Sequence, residues 1–333
     1  MTAFGTTAAI FGCLGPVVSP DERAFFRDAD PFGFIVFARN VETPDQMNRL
    51  TCDLRAAVGR DALVLIDQEG GRVQRLRAPH WREWTPPLDE ITAAPTLATA
   101  CRRMALRASL IAAELRAVGI DANCAPVADI ATDATHPFLR NRCYGTDAAS
   151  VTAIARAVAD AYLAGGVLPV MKHLPGHGRA TGDTHLTLPT VSTDAATLTA
   201  TDFAPFRQLA DLPMAMTGHI IYSAYDAENP ATQSPRMIDV IRKDIGFQGL
   251  LMTDDLNMQA LSGTLSERTK RSVNAGCDIA LHCKGDMDEM RAVAAAAGRM
   301  RTDTHARAAR AIAMRTPAHH IDIAAIEAEL AHA

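Results

Sequence analysis

The chain lacks paired cysteines, an excess of positive charge and any apolar run long enough to cross a bilayer. Its seven cysteines are scattered, odd in number and never spaced as CxxC, which argues against a disulfide framework and fits reduced thiols packed as small core residues. The net charge is -5 and the pI is near 6.1. With its charges interspersed rather than blocked, the sequence offers no basic field to a polyanion, and nucleic-acid binding is not expected. No segment approaches the roughly 18 to 20 apolar residues that span a membrane, so insertion is not expected either. The first residues carry no Lys or Arg ahead of an apolar run that breaks at Gly12, Gly15 and Pro16. That is unlike a secretory leader, and the expected address is the cytoplasm. Nothing matches a phosphate-binding P-loop, and no Pro/Ser-rich linker or shift of composition announces a second domain.

What is present is a length of 333 residues with 48% hydrophobic content, enough for one large barrel or two ordinary domains. Apolar strand-like runs fall at 8–13, 33–37, 62–66, 122–126, 167–171, 212–217, 249–253 and 278–282. Between them lie helical patterns, the clearest being the stripe Val151, Ile154, Val158 and Tyr162 before Gly165 and Gly166. Eight such β units predict a single-domain (β/α)8 barrel of the TIM type over 1–333, since eight parallel strands enclose a space that side chains just fill. An open doubly wound sheet is the alternative. From about 286 to 333 the chain reads as terminal helices, with His319, His320 and His332 solvated.

The polar residues cluster where such a barrel does chemistry. Asp67, Lys172, His173, His219 and Asp254 each follow the end of an apolar run, the edge that holds the active site of a βα barrel. The densest stretch is Lys172-His173-Leu174-Pro175-Gly176-His177-Gly178, continuing to Asp183-Thr184-His185. Proline and glycine stop a helix there, so His173 and His177 belong to a shaped loop. In Asp67-Gln68-Glu69-Gly70-Gly71-Arg72-Val73-Gln74-Arg75, the glycines permit close approach of backbone to ligand, and Asp67 with Arg75 is suited to clamping sugar hydroxyls. In Thr253-Asp254-Asp255, successive strand residues point to opposite sides. One carboxylate is therefore expected to face the axis as a nucleophile, while Asp255 caps the following helix or pairs with a base.

These motifs, with Gly218-His219-Ile220 and Thr253-Asp254-Asp255-Leu256, resemble in co-linear order those of glycoside hydrolase family 3, and within it the single-domain bacterial β-N-acetylglucosaminidases of cell-wall recycling. The resemblance runs from about Gly33 to about Cys283. It implies a retaining, exo-acting enzyme that removes terminal N-acetylglucosamine from muropeptide fragments without metal or organic cofactor, with a monomer favoured. Carried over position by position, Asp254 is the nucleophile and His185 the acid/base, with Asp183 orienting it. Asp67, Arg75, Arg142, Lys172 and His173 hold the sugar, and His219 lines the pocket or supports Asp254. Asn141-Arg142-Cys143-Tyr144 departs from the expected Arg-Ser-Phe wording, and Asp-Thr-His replaces Asp-Ser-His. An imidazole of ordinary pKa near 6.5 can give and recover a proton close to neutral pH. The glycines around it predict a mobile loop that closes over substrate.

Two rival readings use the same residues. In a metal-dependent hydrolase, His173, His177, Asp183 and His185 would ligate a divalent ion, although no HxxEH or His-x-His spacing is present and Lys172 would repel the cation. A catalytically idle sugar-binding barrel would need neither Asp254 nor the Asp183/His185 pair. His177 is expected to brace its own loop, His80, His136 and His282 to be structural, and Trp81 and Trp84 to pack or to flank the sugar.

Overall fold

Eight parallel strands close in strict chain order: β1 (Thr7–Gly12), β2 (Pro31–Val36), β3 (Leu63–Ile66), β4 (Ala122–Asn123), β5 (Leu168–Leu174), β6 (Met214–Thr217), β7 (Leu250–Asp255) and β8 (Ile279–His282), the last pairing with β1. The expected (β/α)8 barrel is the observed one. The computed structural model describes residues 4–184, 186–317 and 321–332. Every residue of β1 to β6 and β8 is buried, and β7 is buried up to Thr253. Strands covered inside by barrel side chains and outside by helices have no solvated face, which is why they read as continuous apolar runs rather than alternating ones.

The helices start and stop where local chemistry directs. Ser19 and Glu22 form a capping box ahead of Pro20–Ala29, Thr264 and Glu267 another ahead of Leu265–Ala275, and Asp147 caps Ala148–Ala164. Gly59 (φ 63°) and Gly276 (φ 119°) end their helices in the left-handed region that glycine tolerates. The terminal helices are Met287–Ala297, Thr302–Ala313 and Ile323–His332. The last buries no residue; it lies against Leu97–Ala117, where Glu329 pairs with Arg102, while Glu327 pairs with Arg82 beside that helix. His332 is exposed there, and His319 and His320 lie outside the described residues. No described helix is long and apolar enough to cross a membrane.

Three local features differ from the sequence reading. β4 is only two residues long, although the Ala125 and Pro126 carbonyls still accept the Val170 and Lys172 amides at 3.0 Å and Val127 pairs with Lys172; Pro126 has no amide to donate in return. β5 runs three residues beyond Met171, carrying Lys172 and His173 on the strand itself rather than past it. A small parallel pair, Thr190–Val191 with Ile221–Tyr222, sits outside the barrel and anchors the far end of the loop after β5.

The N-terminal ends of the strands are tied by two buried aspartates. Asp121, just before β4, accepts from Arg55 at 3.1 Å, from Arg315 and from the Val64 amide at 2.8 Å. Asp278, just before β8, accepts from Arg242 (2.7 Å), Arg307 (2.9 Å), Thr304 (3.0 Å) and the Leu251 amide (3.0 Å). Each carboxylate is thus neutralised by arginines from the outer layer, as a buried charge requires.

Candidate active site

At the opposite face, the C-terminal strand ends surround a cavity of about 250 Å³. Its floor is a chain of alternating charges. Arg75 Nη2 lies 3.1 Å from Asp67 Oδ2, Lys172 Nζ lies 2.9 Å from Asp67 Oδ1 and 2.5 Å from Glu69 Oε1, and Arg142 grips both Glu69 oxygens at 2.8 Å. The turn that places Glu69 is closed by the Glu69 and Gly70 amides, both donating to the Val73 carbonyl. Gly70 (φ +98°) and Gly71 (φ +62°) are required there, since a Cβ on Gly70 would fall 1.7 Å from the Arg107 guanidinium. Burial alone would raise both carboxyls. Lys172 and Arg75 nonetheless hold Asp67 well below the carboxylate range, and Arg142 with Lys172 brings Glu69 down to about 2. Sequence reasoning singled out Asp67, Arg75, Arg142 and Lys172, and the structure brings all four together. It missed Glu69, whose partner Arg142 is 73 residues away.

His173 is fixed by a second buried carboxylate. Its Nδ1 lies 2.6 Å from Asp129 Oδ2, while Asp129 Oδ1 accepts the amides of His173 (3.2 Å) and His177 (2.7 Å). Burial would raise the Asp129 carboxyl, but His173, His177 and the His177 amide pull it down. An ionised Asp129 only accepts, so Nδ1 carries the proton and Nε2 is left as an acceptor at the cavity, 3.5 Å from Arg142 Nη2. Asp129 had no sequence signal beyond its place after the β4 segment.

Asp254 and Asp255 both border the cavity, contrary to the expectation that only one would. The pairing of β8 with β7 shifts by one residue between Ile279↔Met252 and Leu281↔Asp255, and such a bulge breaks the alternation of faces. Asp255 does not cap the next helix, a task performed by Thr264. Its Oδ1 instead accepts the amides of Asn257 and Cys283, each at 3.2 Å. The two carboxyls titrate apart. Burial and the Asp254 charge push Asp255 up to about 6. Asp254 is held below the usual range because His219, His173, the Asp255 amide and Lys172 outweigh its burial.

His219, expected among the sugar-binding groups, does not border the cavity. It is fully buried, with Nε2 donating to the Asp255 carbonyl at 3.1 Å and Nδ1 2.8 Å from the Thr232 hydroxyl. The imidazole thus braces the end of β7 beside Asp254, the second of its two expected places, and leads the groups that hold Asp254 down. Trp81 and Trp84 also stand away from the cavity. The aromatic walls are Phe37, directly after β2, and Phe138, two groups that the sequence reading passed over. Arg39 and Arg75 lie over the ring of Phe37, at 4.9 and 5.4 Å from its centroid, and Arg72 and Arg142 over that of Phe138, at 5.6 and 5.3 Å.

The loop after β5 has two unlike halves. From Pro175 to Ala180 it is buried or nearly so: Tyr222 donates to the Gly176 carbonyl at 2.5 Å, and Arg179 pairs with Asp202 at 2.6 Å. A Cβ on Gly178 would lie 1.8 Å from the Ile130 carbonyl. Gly178 therefore serves close packing against Ile130. From Thr181 onward the loop is more exposed, Leu186 being 65% accessible. Asp183 is half-buried, with its carbonyl accepting the Leu186 and Thr187 amides at 2.9 Å. His185 lies outside the described residues. His177 links the halves as a brace, its Nε2 3.4 Å from Thr184 Oγ1, and burial together with His173 lowers its pKa to about 4. Among the described residues no three His, Cys, Asp or Glu side chains converge as a metal site.

The profile of the Glycosyl hydrolase family 3 N terminal domain matches residues 19–313. A beta-hexosaminidase of Methylococcus capsulatus is 36% identical over 281 residues, 82% of each chain, and one of Bordetella pertussis is 34% identical over 284 residues, 83% of this chain and 80% of its own. Among solved structures, NagZ from Neisseria gonorrhoeae in complex with zinc ion superposes with a TM-score of 0.86 at 26% identity, covering 99% of this chain and 98% of its own. A family 3 β-N-acetylglucosaminidase from Paenibacillus gives 0.85 at 28% identity, over 95% of this chain and 63% of its own.

Proposed function

The chain belongs to glycosyl hydrolase family 3, and from that premise we propose that it is a retaining exo-β-N-acetylglucosaminidase that releases terminal N-acetylglucosamine from muropeptide fragments in cell-wall recycling. The observation that carries the chemistry is the state of the carboxylates around one cavity. Asp67 and Glu69 are already neutralised by cations, whereas Asp254 borders the cavity ionised, with no lysine or arginine paired to it among the described residues. It is the group free to attack a developing oxocarbenium centre.

In the first step the Asp254 carboxylate bonds to the anomeric carbon as the glycosidic C–O bond breaks, and the His185 imidazolium gives its proton to the departing oxygen. In the second, His185 takes a proton from water, the hydroxyl oxygen bonds to the anomeric carbon, and the ester oxygen of Asp254 leaves. Asp183 stabilises the imidazolium, as the carboxylate of a catalytic triad does. Within the charge chain Arg75, Asp67, Lys172, Glu69 and Arg142, the three cations present donors to the sugar hydroxyls, while Asp67 and His173 Nε2 present acceptors. Their mutual pairing fixes them before substrate arrives, so little reorganisation accompanies binding.

The test is turnover of a chromogenic N-acetylglucosaminide by the purified protein, with the anomer released first followed by NMR. The β anomer is expected. First release of the α anomer, or absence of turnover, would overturn the proposal. No metal takes part in this scheme, so activity should survive chelation.

A further inference from the structure

Each cation of the cavity floor is matched by a carboxylate, but the arginine directly behind the floor is not. Arg107, on the helix Leu97–Ala117, is 2% exposed and has no carboxylate partner among the described residues. Its Nη2 donates to the Glu69 carbonyl and its Nη1 to the Thr85 carbonyl, each at 2.8 Å, while Nε has no acceptor among the described residues. The guanidinium carbon stands 5.3 Å from the centroid of the Trp84 ring. Taking a charge out of water is costly unless a counter-ion offsets it, and a methionine of similar length would fill this space without that cost. Packing alone therefore does not account for an arginine here.

The two carbonyls lie on the two arms of the loop after β3. Glu69 begins the glycine turn, whose Gly71 amide donates to the Trp84 carbonyl, and Thr85 follows Trp84 on the returning arm. Arg107 Nη2 occupies the place that a Cβ on Gly70 would need, 1.7 Å away. Arg107 thus pins the backbone of Glu69 to the outer helix layer. The side chain of the same residue takes Lys172 Nζ at 2.5 Å and Arg142 at 2.8 Å, and those two cations border the cavity. Glu69 is held from behind through its backbone while its carboxylate sets two cations in front.

We propose that Arg107 is a positioning residue for sugar binding: it fixes where the Glu69 carboxylate stands, and through it the spacing of Lys172 and Arg142, without touching the sugar. This rests on the hexosaminidase reading and deepens it by adding a group that lies outside the cavity. Neither step at the anomeric carbon involves Arg107, so its removal acts on binding more than on turnover.

The test is calorimetry with N-acetylglucosamine, and kinetics with a chromogenic N-acetylglucosaminide, on the unchanged enzyme, Arg107→Met, Arg107→Lys and Leu115→Ala. Arg107→Met should raise Kd and KM about tenfold and leave kcat within about threefold. Arg107→Lys keeps the charge but lacks the planar fork that spans both carbonyls, so both constants should rise less, about threefold. Leu115→Ala removes a fully buried side chain about two turns further along the same helix. It should lower the melting temperature and leave Kd and KM unchanged. Unchanged Kd and KM in the folded Arg107 variants, a loss confined to kcat, or an equal rise in Leu115→Ala would overturn the inference and leave the hexosaminidase reading standing. If Arg107→Met does not fold, Arg107→Lys decides alone by the same criteria. If the unchanged enzyme neither binds N-acetylglucosamine nor cleaves the N-acetylglucosaminide, the hexosaminidase reading falls and takes this inference with it.

Discussion

The two faces of the barrel use the same chemistry for opposite ends. At the N-terminal face, Asp121 and Asp278 are buried carboxylates whose oxygens are consumed by arginines and amides of the covering layer. At the C-terminal face, Asp67 and Glu69 are likewise paired, but their cations Arg75, Arg142 and Lys172 border an open cavity and keep donors for a ligand. The lower clusters close the barrel, and the upper one leaves its cations facing an open cavity. A buried ion pair is thus a stability device or a binding device according to whether a third group completes it.

Substitutions should separate the faces. The largest effect is expected at the upper one: Asp254→Asn should lower kcat on the order of 10⁴-fold or more, since the attacking group is removed. Its melting temperature should not fall, because Asp254 and Asp255 repel each other. A rate unchanged from that of the parent would place the nucleophile elsewhere. His185→Ala should cost on the order of 10²–10⁴ in rate, roughly 3–5 kcal/mol of transition-state stabilisation. The loss should be smallest for leaving groups that need no proton. Equal losses across leaving groups would point to a different proton donor, with Asp255, raised to about 6, the first to examine.

The lower face should show the reverse pattern. Asp278→Ala strips the shared acceptor from Arg242 and Arg307 and should lower stability by about 3 kcal/mol. Denaturant titration measures this, and kcat/KM should be unchanged. An activity loss without a stability loss would erase the distinction between the faces.

The smallest effect concerns acid. His177 and His282 are each lowered to about 4, first by burial. The unfolded chain therefore takes up protons on these groups from about pH 6.5 downward, before the folded protein does, and stability present above 6.5 is lost as pH falls towards 4. Glu69, lowered to about 2, adds a loss that begins near pH 4.5, its ordinary range, and continues towards 2. His282→Phe should make the decline of unfolding free energy between pH 6.5 and 4, measured by denaturant titration, shallower by roughly 1 kcal/mol per pH unit at most. An unaltered slope would show that His282 does not titrate as described.

The barrel was legible because strands buried on both sides must be apolar throughout, and eight such runs stand out between helical patterns. Position after a strand marked Asp67, Lys172, His173 and Asp254, since a βα barrel gathers those ends. Glu69 and Asp129 escaped because their partners lie 73 and 44 residues away, and no periodicity reports a long-range ion pair. Asp255 was misplaced for a local reason: a register shift between β8 and β7 overrides the alternation of strand faces. Gly178 was read only as a helix stop, and its role as a contact point for Ile130 depends on what the fold packs beside it.

The central claim is that Asp254, alone among the cavity carboxylates, forms the glycosyl ester. Incubation with a 5-fluoro N-acetylglucosaminyl fluoride, followed by peptide mass spectrometry, tests it directly. The account predicts a single adduct on Asp254 that disappears in Asp254→Asn. An adduct on Asp255, Asp67 or Glu69 instead would contradict it.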